Sequence, residues 1–236
     1  GQLELFRTTR LETPVLLEGA EGVGKSVVAA LLHKISPRAT GPFVVVACGG
    51  ASEVQLAELL FGDEHAAAYA SSQDPPLGAL ERARGGTLCL KDVDRLSPSL
   101  QSRLLRALQE RRFVRNHGEV PLKLEMRLVC STRLDLSQEV QEGRFRVELA
   151  DRLSPLQLRI APLCERREDI LPLADHFLAQ LCRELARPGL KFTPAALCEL
   201  ERRSWPGNAR ELKDRIRNTS ALCSGPLIDL PHLLED

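Results

Sequence analysis

Eight consecutive residues limit what this chain can become: Gly19-Ala20-Glu21-Gly22-Val23-Gly24-Lys25-Ser26. They follow an apolar run, Pro14 to Leu17, and lead into a helical pattern from Ser26 to Ile35. The spacing is that of a phosphate-binding loop in the strand–loop–helix context such a loop requires. Glycines let backbone N–H groups converge on an anion, and the N-terminus of the following helix adds its dipole. In that geometry Lys25 reaches the β- and γ-phosphates of a nucleotide, and Ser26 ligates magnesium. The competing reading is a surface turn that matches by chance, which the flanking elements disfavour.

The remaining apolar runs are short and spaced. Phe43 to Cys48, Thr87 to Leu90, Leu124 to Ser131 and a weaker Leu156 to Ile160 read as strands. Helical patterns at Glu53 to Phe61 and Leu100 to Leu108 lie between them. Strands alternating with helices imply a mostly parallel sheet covered on both faces. After about Pro162 the strand signal stops. Arg167 to Arg187, Thr193 to Arg203 and Asn208 to about Leu222 read as helices, the second with Thr193 as cap and Pro194 in its first turn. Pro206-Gly207 breaks the chain before the third, and Trp205 anchors that turn by packing. The expectation is an α/β core over 1–165 and a small all-helical lid over 166–236. Residues 62–78 fit neither pattern and read as a long loop with a short helix at its alanines.

Composition narrows the partners. With 32 basic and 32 acidic residues among 236, the chain has no net charge, which argues against its being the main nucleic-acid-binding element. The seven cysteines form no CxxC pair, and Cys48, Cys89 and Cys130 lie in strand-like runs. They read as small core residues in a reducing cytoplasm. No apolar run approaches 18 residues and no signal peptide is visible, so a cytoplasmic protein without a membrane partner is expected. The ends lack natural flanks, as in an excised domain.

A nucleotide site of this type needs acids at the tip of a neighbouring strand, to hold magnesium and polarise water. The tip of Thr87-Leu88-Cys89-Leu90 carries Lys91-Asp92 instead. An ammonium in the metal's place weakens divalent-ion binding and is itself able to pair with a phosphate. Asp92 remains as the candidate metal ligand and water-orienting group, with Asp94 as a more distant fallback. Alternatively, this strand end is only a capped surface turn. Arg146 and Arg152 flank Phe145 and Leu149 and would suit arginines reaching a neighbour's γ-phosphate. Taken alone, surface ion pairs are the better reading of them. Arg210 opens a lid helix after the Pro-Gly turn and is placed to touch a bound nucleotide.

Further stretches occur in order along nearly the whole chain: Glu58-Leu59-Leu60-Phe61-Gly62, Gly85-Gly86-Thr87-Leu88, Gln101 to Gln109, Phe145-Arg146 through Arg152-Leu153, Pro162 to Ile170, and Trp205-Pro206-Gly207-Asn208-Ala209-Arg210-Glu211-Leu212. Together they resemble the central AAA+ domain of bacterial enhancer-binding transcription regulators of the NtrC-like family. The resemblance implies an AAA+ P-loop core with a helical lid, ATP/ADP as ligand, and self-association as a dimer or hexameric ring. It also implies remodelling of RNA polymerase bound to the alternative sigma factor. A sensory domain and a C-terminal helix-turn-helix for DNA would lie outside this fragment. By position, Gly19 to Ser26 matches the Walker A loop, Lys91-Asp92 the Walker B acid pair, and Thr132-Arg133 the first sensor, where Thr-Asn is usual. Arg146 and Arg152 match the trans-acting arginines, and Arg210 the second sensor. Ala47 falls where an asparagine normally restrains the catalytic glutamate. The region before Gly1 would hold part of the adenine pocket.

The largest departure is in the loop. The family's sigma-contacting GAFTGA signature is replaced by His65-Ala66-Ala67-Ala68-Tyr69-Ala70. The chain thus resembles the minority of members that lack the signature and act with the housekeeping polymerase or as repressors. Three readings follow. In the first, the domain binds ATP/ADP for oligomerisation and regulation, and hydrolysis is weak or absent. In the second, a rearranged magnesium site with Asp92 as ligand supports a working ring ATPase. In the third, the domain is a dimerisation scaffold with no nucleotide at all.

Overall fold

The computed structural model describes residues 13–65, 77–185, 187, 189–223 and 225–234. The chain divides into two compact units: Gly1–Glu18 with Lys25–Arg159, and Gly19–Gly24 with Ile160–Asp236.

Among the described residues, the strands of the first unit are β1 (Val15–Glu18), β2 (Phe43–Ala47), β3 (Thr87–Lys91), β4 (Arg112–Phe113), β5 (Leu122–Lys123), β6 (Arg127–Thr132) and β7 (Leu156–Arg159). Its helices are α1 (Lys25–Lys34), α2 (Glu53–Phe61), α3 (Ala79–Arg82), α4 (Pro98–Glu110), α5 (Leu136–Gln141) and α6 (Val147–Leu153). Five strands form one sheet in the order β2-β3-β6-β1-β7, with every pairing parallel. Alternation along each strand sends side chains to two cores. Leu16, Val46, Leu88, Leu90, Leu128 and Cys130 join one cluster with Leu60 of α2, Leu104 of α4 and Leu149 of α6. Val15, Leu17, Cys89 and Val129 join the other with Ala29 and Leu32 of α1. The sheet is therefore covered on both faces, as the short apolar runs imply. Each buried leucine contributes about 1.5–3 kcal/mol of transfer free energy.

Boundaries shift where backbone pairing overrides hydrophobicity. Leu124 and Met126 are buried like strand residues, but Leu124 N bonds Arg111 O and Gly85 N takes Glu125 O, so the parallel ladder of β6 starts only at Arg127. The β4–β5 pair and helices α5 and α6 are absent from the sequence reading, because two-residue strands and one- or two-turn helices leave too few positions to show a period.

In the second unit, α7 (Ile170–Glu184), α8 (Pro194–Arg202), α9 (Asn208–Leu222) and α10 (Leu230–Leu234) surround Trp205. Helix α7 begins at Ile170, after a 3₁₀ turn at Arg167–Asp169, and not at Arg167. Pro172 explains the delay: it has no N–H to give an earlier carbonyl, and it is tolerated within a helix's first turn. Ile170, Ala174, Leu178 and Leu181 then form one buried stripe. Thr193 caps α8 by accepting from Ala196 N at 3.3 Å, with Pro194 at the first position. The unit is not free of strand, however. β8 (Lys191–Phe192) pairs in parallel with β9 (Leu227–Ile228), again too short to be read from periodicity. Trp205 is 1% exposed, sits at φ 50°, and donates its indole N–H to Leu200 O at 2.8 Å.

Among the described residues, no helix is long and apolar enough to cross a membrane. Cys48, Cys89 and Cys130 are free and buried. Burial pushes the Cys89 thiol up to about 11, and burial aided by Asp92 and Asp94 pushes Cys48 up to about 12. These are inert core thiols.

Candidate nucleotide site

The phosphate loop runs from the end of β1 at Glu18 to the start of α1 at Lys25. Gly19, Gly22 and Gly24 have φ of 151°, 77° and 106°, conformations that side chains resist. A Cβ at Gly19 would come within 2.7 Å of Ile160 O. Val23 is buried and anchors the loop from within, whereas Ala20, Glu21 and Ser26 are exposed and Lys25 is half-buried. The loop's outward backbone is fixed by residues of its own unit. Asn208 Nδ2 donates to Glu21 O at 2.8 Å, while Asn208 Oδ1 accepts from Leu163 N at 2.7 Å. Arg166 Nη2 donates to Val23 O at 2.8 Å. Arg210 Nη1 pairs with the carboxylate of Glu21.

Two of these contributors, Asn208 and Arg166, carry no role in the sequence reading. Asn208 is 2% exposed at φ 56°, a left-handed position that asparagine tolerates better than most residues. Asparagine directly after Pro206-Gly207 is the signal that points to it. Arg210, the nucleotide contact expected from the sequence, has its guanidinium engaged by Glu21 in this structure.

The strand tips lie in the first unit. Lys91 ends β3, pairs in register with Ala47 of β2, and its carbonyl accepts from Cys48 N at 2.8 Å. Asp92 follows in the left-handed region at φ 56°, ψ 56°. Its carboxylate meets Arg133, with Nε at 3.2 Å from Oδ1 and Nη2 at 3.5 Å from Oδ2. Asp94 turns inward: its side chain is 2% exposed, 2.9 Å from Thr132 Oγ1. Thr132, fully buried, also accepts from Leu134 N at 3.0 Å. The structure thus pairs Asp92 with Arg133 and Asp94 with Thr132, so each carboxylate already has a partner.

A divalent ion taking Asp92 as ligand would face the guanidinium of Arg133. A divalent ion and a guanidinium about 4 Å apart repel by roughly 8 kcal/mol at an effective dielectric constant near 20, twice the value for two unit charges. The pair is partly exposed, so screening reduces that figure, and its sign still opposes the metal. Among the described residues, no group of three or more His, Cys, Asp or Glu side chains is arranged to hold a metal ion.

Arg146 stands at the N-cap position of α6 without a side-chain cap, and Arg152 lies in its last turn; both are exposed. Neither has an ion-pair partner among the described residues. Their helix is held by Gln101 of α4, which is 1% exposed and fully bonded. Gln101 Nε2 donates to Leu96 O at 2.9 Å and Arg144 O at 3.0 Å, and Oε1 accepts from Arg146 N at 2.9 Å. Beside it, Arg144 grips Glu139 through two bonds of 2.6 Å, which hold the Glu139 carboxyl below its usual range. A buried glutamine wiring one helix to an arginine's backbone leaves no trace in apolar periodicity.

The replaced signature at 66–70, with Tyr69, lies outside the described residues. Its N-terminal stem is tied down: the His65 ring stacks on His117 at 4.9 Å, and His117 Nδ1 lies 3.1 Å from Asp63 Oδ1.

Comparison with known proteins agrees with this geometry. Residues 3–159 match the model of the sigma-54 interaction domain, and residues 164–236 match that of an AAA+ ATPase lid domain. The chain is 41% identical over 233 residues to the Nif-specific regulatory protein of Herbaspirillum seropedicae, covering 97% of this chain and 43% of that protein. It is 41% identical over 223 residues to the regulatory protein AtoC of Escherichia coli, covering 93% and 48%. The chain therefore spans under half the length of these relatives. NtrX from Brucella abortus, crystallised with ADP, superposes with a TM-score of 0.88 at 31% identity over 98% of this chain and 51% of that one. The same protein crystallised with ATP gives 0.87. With a glycine loop between β1 and α1, a five-stranded parallel sheet and a helical lid unit, this chain belongs to the sigma-54 interaction domain family, as the central AAA+ domain of an NtrC-like bacterial regulator.

Proposed function

We propose that this domain binds ATP and ADP to govern self-association within a bacterial transcription regulator, and that it hydrolyses ATP weakly or not at all. The observation that carries the reading is the strand tip: Lys91 ends β3, and Asp92 is engaged by Arg133. The phosphate loop keeps its backbone geometry, and a relative of the same fold was crystallised with ADP and with ATP. Binding is therefore supported where metal-dependent chemistry is not. Lys25 would meet the β- and γ-phosphates. Ser26 and Asp92 are the ligands a magnesium ion would have, weakened by Lys91 and Arg133. The division near residues 160–165 gives the two parts separate roles, a core that carries the sheet and a lid that fixes the loop.

A second reading keeps an active ring ATPase, favoured by one observation. Arg146 and Arg152 are exposed and unpaired among the described residues, and Gln101 holds the backbone of Arg146 at the start of their helix, as would suit arginines serving a neighbouring copy. In that reading Arg133 leaves Asp92 when nucleotide binds, and Thr132 helps place the attacking water. DNA, polymerase and a sensory domain belong to the whole regulator. With His65-Ala66-Ala67-Ala68-Tyr69-Ala70 in place of the sigma-contacting signature, alternative-sigma polymerase is not its target.

Titration of labelled ATP and ADP, with magnesium and with chelator, while phosphate release is followed, separates the readings. Binding without release is the expected result. Magnesium-dependent release that rises steeply with protein concentration and falls on Arg152→Ala would establish the second reading instead. Absence of binding by either nucleotide would leave only a scaffold.

A further inference from the structure

Glu21 is a feature that nucleotide binding alone does not explain. It places a carboxylate on an anion-binding loop, where added negative charge opposes the ligand. Its position is not slack. Asn208 holds the Glu21 carbonyl at 2.8 Å, and the side chain pairs with Arg210 in the first turn of α9. Arg166 holds the carbonyl two residues along, that of Val23. The guanidinium best placed by sequence to meet a phosphate is thus already satisfied by a carboxylate of the same unit.

We infer that Glu21 is a specificity-determining residue which, by occupying Arg210, sets the loop's preference for a nucleoside diphosphate over a triphosphate. The inference rests on the nucleotide-binding reading above and deepens it. An α- or β-phosphate is held by the loop's backbone N–H groups, which do not depend on Arg210. A γ-phosphate brings additional negative charge and needs a further cation to offset it. To recruit Arg210 it must displace Glu21, and the displaced carboxylate then remains on the loop as a like charge. The cost falls on the triphosphate alone. Its size is bounded by exposure: the Glu21 and Arg210 side chains are 48% and 60% exposed, so the pair is worth little on its own and weakens with salt.

The test is calorimetric titration of the whole chain with ADP and with a non-hydrolysable ATP analogue. The proteins are the wild type, E21Q, E21D, R210A and the E21Q/R210A double variant. E21Q keeps the side chain's shape and removes its charge. It should raise affinity for the ATP analogue about fivefold and for ADP less than twofold, the scale of one exposed ion pair. E21D should keep the wild-type preference, and the gain from E21Q should vanish in the R210A background and shrink in high salt. Equal shifts for both nucleotides, or a gain that persists without Arg210, would overturn the assignment of Glu21 while nucleotide binding stands. Failure of the wild type to bind ADP at all would overturn the nucleotide reading and this inference together.

Discussion

The phosphate loop and the tips of β3 and β6 present their chemistry in different ways. The loop works through its backbone. Gly19, Gly22 and Gly24 hold left-handed or otherwise strained conformations, so few substitutions there are tolerated and the geometry is kept. The strand tips work through side chains. Their backbone ladder is intact from Thr87 to Leu90 against Arg127 to Cys130. Yet the groups projecting from it are Lys91, an Asp92 engaged by Arg133, and an Asp94 buried against Thr132. Function carried by main-chain N–H groups is protected by the fold. A role carried by a carboxylate, by contrast, can be removed by one substitution that leaves the backbone ladder intact.

This contrast breaks most sharply at Lys25. Lys25→Ala should lower affinity for ADP and ATP about 100-fold, measured by titration, while leaving unfolding of the free protein nearly unchanged. Retention of affinity within threefold would mean that the loop is not the binding site. A structural counterpart lies at Gln101. Gln101→Ala leaves Arg146 N and two carbonyls without their partner and should cost about 2 kcal/mol in denaturant unfolding. A cost below about 0.5 kcal/mol would show that α6 is held by other contacts.

Charge at the strand tip provides a finer probe. Lys91→Asp restores an acid at the end of β3, and magnesium should then tighten ATP binding about tenfold, without hydrolysis following. An alkaline titration reads the same region from below. The Cys48 thiol is raised to about 12 by burial first and then by Asp92 and Asp94, against an ordinary value of 9.0. The native state therefore keeps a proton that the unfolded chain releases. That stability is complete below pH 9 and lost as pH rises towards 12, by about 1 kcal/mol at pH 10. Unfolding midpoints that stay flat from pH 8.5 to 10.5 would contradict this account. The smallest expected effect is in the wild type, where exchanging magnesium for a chelator should change nucleotide affinity less than about threefold. A large loss on chelation would show that a metal binds despite Lys91 and Arg133.

The α/β core, its parallel sheet and the helical lid were legible because each rests on a local signal. Glycine spacing marked the loop, short continuous apolar runs marked Pro14 to Leu17 and Thr87 to Leu90, and Thr193-Pro194 marked the start of α8. Positions of the altered acids were legible for the same reason: Lys91-Asp92 stands at the end of a readable strand. The partners of those acids were not. Arg133 is 41 residues from Asp92, and Arg210 is 189 from Glu21. Nothing in residue type or spacing says which of 32 basic side chains will reach which carboxylate.

By itself, then, the sequence determined where backbone must bend, which faces are apolar, and that the strand tip has exchanged an acid for a lysine. The first two follow from steric limits and from burial, both properties of short stretches of chain, and the third from the resemblance to the family. Only the tertiary structure decided that Asp92 is engaged, that Asp94 faces inward, that Gln101 wires α4 to Arg146, and that Glu21 holds Arg210. Such pairings depend on distances of a few ångströms between residues far apart in the chain, because Coulomb and hydrogen-bond energies are set by final separation and desolvation, not by sequence order.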